Sequence, residues 1–366
     1  MGGMRERNAI DFWRGFALIT IFINHVPENF YSGYTYSQFS ISDAAELFVF
    51  LAGWSIAIAT ERAGGPEPAG RMVQRLLFRM VEVYRAQLVI TAVALAMIAA
   101  AAIRLNNPLI LEWHNAGAVF TDPVQATFGW VILTHQLGFF NILPLYVVLL
   151  AMAPAFILLA RVSRPAALLA STLLYLASLV FQLNLPSWPT EGYWFFDPFA
   201  WQLLLVVGYL AFGWNQGERL SRWAGRLLPL GIAGVLVGAV VAGLGLWPDP
   251  LAVPEPRAFF TNDKTYFSPM RLAHFVALVV AFHRLYPALA HRLPWLAEQC
   301  SALGRNSLAV FSVGSIVSLA AQFVRYVFGG GFFIDTLVIS SGILCMSFTA
   351  WFVEWRSRSP RRSSPS

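Results

Sequence analysis

The sequence predicts an all-α, polytopic membrane bundle. Three observations carry that expectation. Of 366 residues 57 % are hydrophobic and only 12 % charged, with a mean hydropathy of +0.60, whereas soluble domains carry about a quarter charged residues. Apolar stretches recur at lengths near the ~20 residues a helix needs to cross a bilayer core. The basic residues alternate between loops in a way that assigns sides. Ten spans are expected, at 9–27, 43–60, 84–103, 141–160, 166–183, 198–214, 228–246, 269–286, 305–326 and 333–352. No soluble domain interrupts them, so 1–355 reads as a single transmembrane domain. Residues 356–366, "RSRSPRRSSPS", form a basic tail expected to be disordered and cytoplasmic.

Orientation follows from the arginines. With the N-terminus inside, 18 basic side chains fall on the inner side, from Arg5 and Arg7 through to Arg361 and Arg362, and five on the outer side (Arg104, Arg257, Lys264, Arg271 and Arg325). This is the positive-inside bias, and it puts both termini in the cytoplasm. The net charge of +6 therefore reports topology and attraction to anionic lipid, and nucleic acid is not an expected partner. The first apolar segment follows basic residues as a signal peptide would. Bulky, polar "HVPENFYSGY" after it offers no small-residue cleavage site, so it is read as a retained helix. Two cysteines, Cys300 and Cys345, suggest neither a disulfide framework nor a metal site. The longer outer connections are 28–42, 104–140, 184–197 and 247–268. They are rich in Trp, Pro, Asn and Asp, which points to a large polar ligand on that side.

The first span, "DFWRGFALITIFINHVPENF", carries Arg14 and His25. Eleven helical positions are about three turns, so the two share a face and lie ~16 Å apart along the axis. Ionisable groups at that depth usually face protein or a wet cavity; a snorkelling arginine with an interfacial histidine before Pro27 is the plainer alternative. The second span opens with "SDAAELFVFLAGW". Asp43 and Glu46 enter at about the depth of His25, and a carboxylate beside a histidine would raise its basicity, as a general base requires. The same pair also matches an N-terminal capping box. Next, "RMVQRLLFRMVEVYRAQ" spaces Arg71, Arg75 and Arg79 every fourth residue. That stripe reads either as a headgroup anchor or, for Arg75 and Arg79, as a site for a phosphorylated cytosolic ligand such as coenzyme A.

The ordered set "DFWRGFALITIFINHVPEN", "SDAAELFVFLAGW", "NILPLYVVLL", "NLPSWPTEGYWFFDPFAWQLL", "DKTYFSPMRLAHFVAL" and "LGRNSLAVFSVG" resembles the transmembrane acyltransferase (acyltransferase 3) superfamily. More closely, it resembles the OpgC family, succinyltransferases of osmoregulated periplasmic glucans. The resemblance runs from residue 11 to about residue 314. It implies an enzyme of the bacterial inner membrane that moves an acyl group, succinyl in that family, from a cytosolic acyl-CoA to a periplasmic glucan. The acyl-CoA is a donor substrate, and no tightly bound cofactor is implied. Carried over by position, His25 matches the superfamily's essential histidine, Arg14 its partner arginine, and Arg75 with Arg79 its second motif. Two positions depart from the pattern: Asn24 stands where relatives often have an acid, and Gly314 where a late span often has a histidine.

Within that reading His25 is the base, with Glu46 and then Asp43 as its orienting carboxylates. Arg14, Arg75 and Arg79 hold the donor. Lys264, Arg271, His274, Trp194, Trp201 and Asp197 fall in outer motifs and are the candidates for substrate binding. Arg271 is suited to the distal carboxylate of a succinyl group, though an interfacial arginine with a helix-facing histidine explains Arg271 and His274 equally well. Trp194 and Trp201 suit sugar stacking, against the general enrichment of tryptophan at membrane interfaces. A proton-coupled transporter or flippase for a glycan or lipid is the competing class. The absence of any visible repeat between the two halves weakens it.

Overall fold

The computed structural model describes residues 8–62, 65–216 and 219–358; Arg5, Arg7 and the tail beyond Arg358 lie outside them. The regular structure of the described residues is helical apart from a minimal hairpin pairing β1 (Glu61–Arg62) with β2 (Gly65–Pro66) and an isolated bridge between Pro186 and Tyr193. Every one of the ten predicted apolar stretches falls on a helix. They are α1 (Ala9–Asn24), α2 (Ala44–Thr60), α3 (Ala69–Arg104), α6 (Ile142–Val162), α7 (Arg164–Phe181), α8 (Pro198–Gln216), α9 (Arg219–Gly243), α10 (Pro269–Phe282) with the start of α11 (Leu285–Arg292), α13 (Ser307–Phe328) and α14 (Phe332–Arg358). Six of them, α3, α6, α7, α9, α13 and α14, are long and apolar enough to cross a membrane, and α10 with α11 qualifies as one further, broken span. The 16 residues of α1 and 17 of α2 rise only about 25 Å, short of a ~30 Å core. Several apolar helices in one chain make this a multi-pass membrane protein.

Element ends differ from expectation for identifiable reasons. Helix α1 stops at Asn24, with His25 as its C-cap donating its amide to Ile21 O at 2.9 Å, because Pro27 cannot continue a helix and disfavours helical backbone before it. Helix α3 begins at Ala69 rather than at 84, since the arginine stripe keeps helical spacing into the apolar run. Three helices lie within segments read as connections: α4 (Gly117–Thr121), α5 (Pro123–Val131) and α12 (Pro294–Arg305). Helix α14 carries on through Arg358, into the first residues of the expected tail.

The chain divides into two compact units. One comprises Met1–Gly33 and Tyr286–Ser366, the other Tyr34–Leu285. In the first, α1 lies along α12 and also packs on α13, which pairs with α14. The α1–α12 approach depends on glycine at both crossing points: a Cβ on Gly15 would overlap the Cys300 carbonyl, and one on Gly304 the Asp11 carbonyl. Phe12, Ala297 and Cys300 form the buried core beside it. In the second unit α2 lies along α8 by the same device, Gly53 against the Leu205 carbonyl and Gly208 against that of Phe50. Helix pairs α3–α6, α7–α8 and α9–α10 surround that centre. Small residues at the crossing let backbones meet where lipid supplies no hydrophobic drive.

Candidate active site

Helix α1 presents one face to α13. At its start Arg14 Nη2 donates to Ser307 Oγ at 2.5 Å, and at its end the His25 carbonyl accepts from Gln322 Nε2 at 2.7 Å. Between these contacts Leu18, Ile21, Phe22 and His25 of α1 line a cavity of about 10 Å³ with Val310, Phe311, Gly314 and Ser315 of α13 and Met346 of α14. That is room for about one water. Ser315 is buried, and among the described residues its hydroxyl has no hydrogen-bond partner. Arg14 and His25 thus share the face the helical spacing predicted, and the space beside His25 is narrow and largely apolar.

The turn after His25 is stapled from outside α1. Arg325 Nε donates to Asp335 Oδ1 at 2.7 Å, Nη2 donates to the Glu28 carbonyl at 2.8 Å, and Nη1 donates to the Pro27 carbonyl. Asp335, itself buried, accepts the Phe30 amide at 2.8 Å. Asn29 Nδ2 closes the turn onto the Ile23 and Val26 carbonyls. A charged pair that fixes the backbone of the turn just after a histidine restrains its position more than a hydrophobic contact would.

A polar cluster forms at the start of α2 in the second unit. Asp43 and Glu46 make the capping box: Asp43 Oδ1 accepts the Ala45 amide at 2.8 Å and Glu46 Oε2 the Asp43 amide at 2.9 Å. Glu46 is fully buried, and its Oε1 takes Arg271 Nε and Nη2, both at 2.6 Å. Arg271 also reaches Asn262 Oδ1 at 3.1 Å and Asp43 Oδ2 at 3.4 Å, and Lys264 Nζ meets Asp43 Oδ2 at 2.5 Å. Tyr36 belongs to the same cluster, where burial first, and then the Asp43 and Glu46 carboxylates, push its phenol well above the ordinary range. His274 sits one turn after Arg271, with Nδ1 3.1 Å from Ser42 Oγ and Nε2 packed on Gly238 of α9. Four candidates from distant parts of the sequence therefore meet here. Both Glu46 oxygens are occupied within this unit, and Arg271 is only 5 % exposed against 30 % for Lys264.

The remaining candidates have scaffold contacts. Trp201 is fully buried and donates from Nε1 to the Lys264 and Thr265 carbonyls, at 3.0 and 3.1 Å. Its ring therefore holds the Lys264 loop rather than offering a face to a sugar. Trp194 is buried too, its carbonyl accepting Asn184 Nδ2 at 2.9 Å. Asp197 caps α8 through the Phe199 and Ala200 amides, at 2.9 and 3.0 Å, and accepts the Ser178 hydroxyl. Burial outweighs these bonds and raises its carboxyl to about 6. The aromatics left exposed near this loop are Trp188, Tyr193 and Phe195. At the other end of α2, Arg75 bridges the Ala59 carbonyl at 3.1 Å and Glu67 at 2.7 Å, and Arg79 pairs with Glu82 at 2.6 Å on the surface.

Ser307, Ser315, Gln322, the Arg325–Asp335 pair and Asn262 were not singled out from sequence. Arg325 and Asp335, opposite charges flanking the "FGGGFF" turn between two spans, were the one pair with a readable signal. Comparison with curated proteins and with solved structures returned no match. The family model described as OpgC protein matches residues 6–358, nearly the whole chain. It takes in α1 with His25 and Arg14, the Asp43–Glu46–Lys264–Arg271 cluster and the Arg325–Asp335 staple, and on that match the chain belongs to the OpgC protein family.

Proposed function

We propose that the protein is a membrane O-acyltransferase that moves an acyl group, succinyl foremost, from cytosolic acyl-CoA to hydroxyls of a periplasmic glucan. Family membership across residues 6–358 supports the reaction class. One observation carries the site: His25 lines a narrow, largely apolar cavity on the α1 face that also bears Arg14. In this reading α1, α2 and α8, whose apolar part is Pro198–Gly213, complete ten crossings of the bacterial inner membrane. Both termini are then cytoplasmic, Arg14 lies towards the donor side, and His25 lies where donor and acceptor meet.

Acyl transfer to a sugar hydroxyl needs a base, a donor for the developing oxyanion and exclusion of water. His25 takes the proton as the sugar oxygen attacks the thioester carbonyl. The C–S bond breaks, an ester C–O bond forms, and coenzyme A leaves as a thiolate that takes up a proton. Ser315, buried in the same cavity with a hydroxyl free to donate, is placed to meet the carbonyl oxygen. A cavity that admits about one water limits hydrolysis of the thioester. Arg14, Arg75 and Arg79 serve the donor. On the acceptor side Lys264 is the more exposed cation and the better suited to an anionic substrate group, with Arg271 and Glu46 fixing the loop and helix around it. His274, Asp197, Trp194 and Trp201 hold that surface in place.

Purified protein in proteoliposomes, given succinyl-CoA and glucan, should release coenzyme A and form a glucan succinyl ester. His25→Ala should bind the donor and form neither product. Movement of glucan across the membrane with no ester formed by wild type would overturn the proposal in favour of a transporter.

A further inference from the structure

At the end of α2 opposite the Asp43 cluster, three arginines of the second unit surround the last helical turn. Arg75 Nη1 donates to the Ala59 carbonyl, and Arg164 Nη2 reaches Glu61 Oε2 at 3.3 Å. Arg161, in the last turn of α6, lies beside Tyr209 of α8, whose hydroxyl neighbours Thr60 and Glu61. Arg164 packs its guanidinium on Gly213, one turn further along α8. Glu61 is paired with Arg164 and Glu67 with Arg75.

Arg161 is different. Its Nε and Nη2 are buried, and among the described residues neither has a hydrogen-bond partner. These two nitrogens form the side-on edge of the guanidinium, whose parallel N–H bonds match two oxygens of one phosphate or carboxylate. A basic residue in the last turn of a helix ordinarily bonds the free carbonyls there; this edge bonds none of them. A buried cationic fork without a partner is costly, and a bidentate anion removes that cost.

From this arrangement we infer that Arg161, with Arg164 beside it, forms a phosphoryl-binding site at the inner end of the second unit. Two sources of that chemistry reach a cytoplasmic membrane face: the phosphates of coenzyme A and the phosphate of an anionic lipid headgroup. Assignment to coenzyme A rests on the acyltransferase reading; the anion site does not.

The test uses full-length protein in detergent, with coenzyme A binding measured by calorimetry and phosphatidylglycerol adducts counted by native mass spectrometry. Wild type, Arg161→Gln, Arg161→Lys and the exposed control Arg292→Gln are compared. A bidentate charge-assisted contact makes the expected loss about tenfold or more for Arg161→Gln, with Arg161→Lys intermediate because it keeps the charge without the fork. Loss of coenzyme A affinity supports the site with the donor as its ligand. Unchanged coenzyme A binding with loss of lipid adducts supports the site with lipid as its ligand. Wild type that binds no coenzyme A while adducts still depend on Arg161 would count against the acyltransferase reading and leave the anion site standing. If Arg161→Gln matches wild type and Arg292→Gln in both measurements while folded, the inference is overturned.

Discussion

At the scale of single residues, burial separates groups that act from groups that hold. Arg271 and Glu46 illustrate the second kind. Replacing Arg271 with Gln strands a fully buried carboxylate, which typically costs about 3–5 kcal/mol, so the variant should lose thermal stability in detergent. Adding Glu46→Gln to it should recover much of that loss, and additive losses would show that the pair is not coupled. Ser315→Ala makes the opposite kind of prediction. It should leave stability unchanged while lowering turnover about 10–100-fold with little change in donor affinity; equal turnover would remove Ser315 from the chemistry. Asp197 carries a pH signature. Its folded carboxyl sits near 6, above the ordinary value, so the folded state holds that proton more tightly than the unfolded chain does. Its contribution is therefore full at low pH and is lost as pH rises through about 6, on the order of 3 kcal/mol. Asp197→Asn should flatten the stability profile between pH 4 and 7. The capping box at Asp43 was legible in the sequence because its partners are three residues apart. The Arg271–Glu46 pair was not, because 225 residues separate them and only the tertiary fold, which also sets Phe50 of α2 against Phe275 of α10, brings them together.

At the scale of elements, hydropathy found the apolar stretches and missed what binds them. Helix α12 buries Ala297, Cys300, Ser301, Leu303 and Gly304 but interrupts its apolar residues with Glu298, Gln299 and Arg305, so no apolar window reveals it. It is nevertheless the partner along which α1 lies. Helix α3 was marked only over its apolar half, because hydropathy stops at the arginines, whose spacing was read for what they bind rather than as an extension of the helix. The glycine crossings were invisible for the same reason that α12 was: a close approach is known only once both helices are placed. Gly15→Ala forces α1 away from the Cys300 carbonyl and should destabilise by about 1–3 kcal/mol. Activity should fall with it, since α1 carries both Arg14 and His25. A Gly15→Ala protein with wild-type melting temperature and turnover would contradict the packing described.

At the scale of the whole molecule, the distribution of arginines gives the expected orientation, while the number of crossings depends on α1, α2 and the apolar part of α8, Pro198–Gly213, each shorter than an ordinary span. Cysteine introduced at Ser366 in a cysteine-free background should react with an impermeant thiol reagent only from the cytoplasmic side, and cysteine at Leu251 only from the periplasmic side; the reverse pattern would invert the topology. The central claim joins that topology to chemistry, with a donor from inside, an acceptor outside, and His25 between them. Mass spectrometry of periplasmic glucans tests it most directly, in cells lacking this protein and supplied with either wild type or His25→Ala at equal membrane levels. A succinyl mass increment restored by wild type and absent with His25→Ala is the predicted result. Glucans of identical mass in both, or an increment that His25→Ala restores as fully as wild type, would contradict the account.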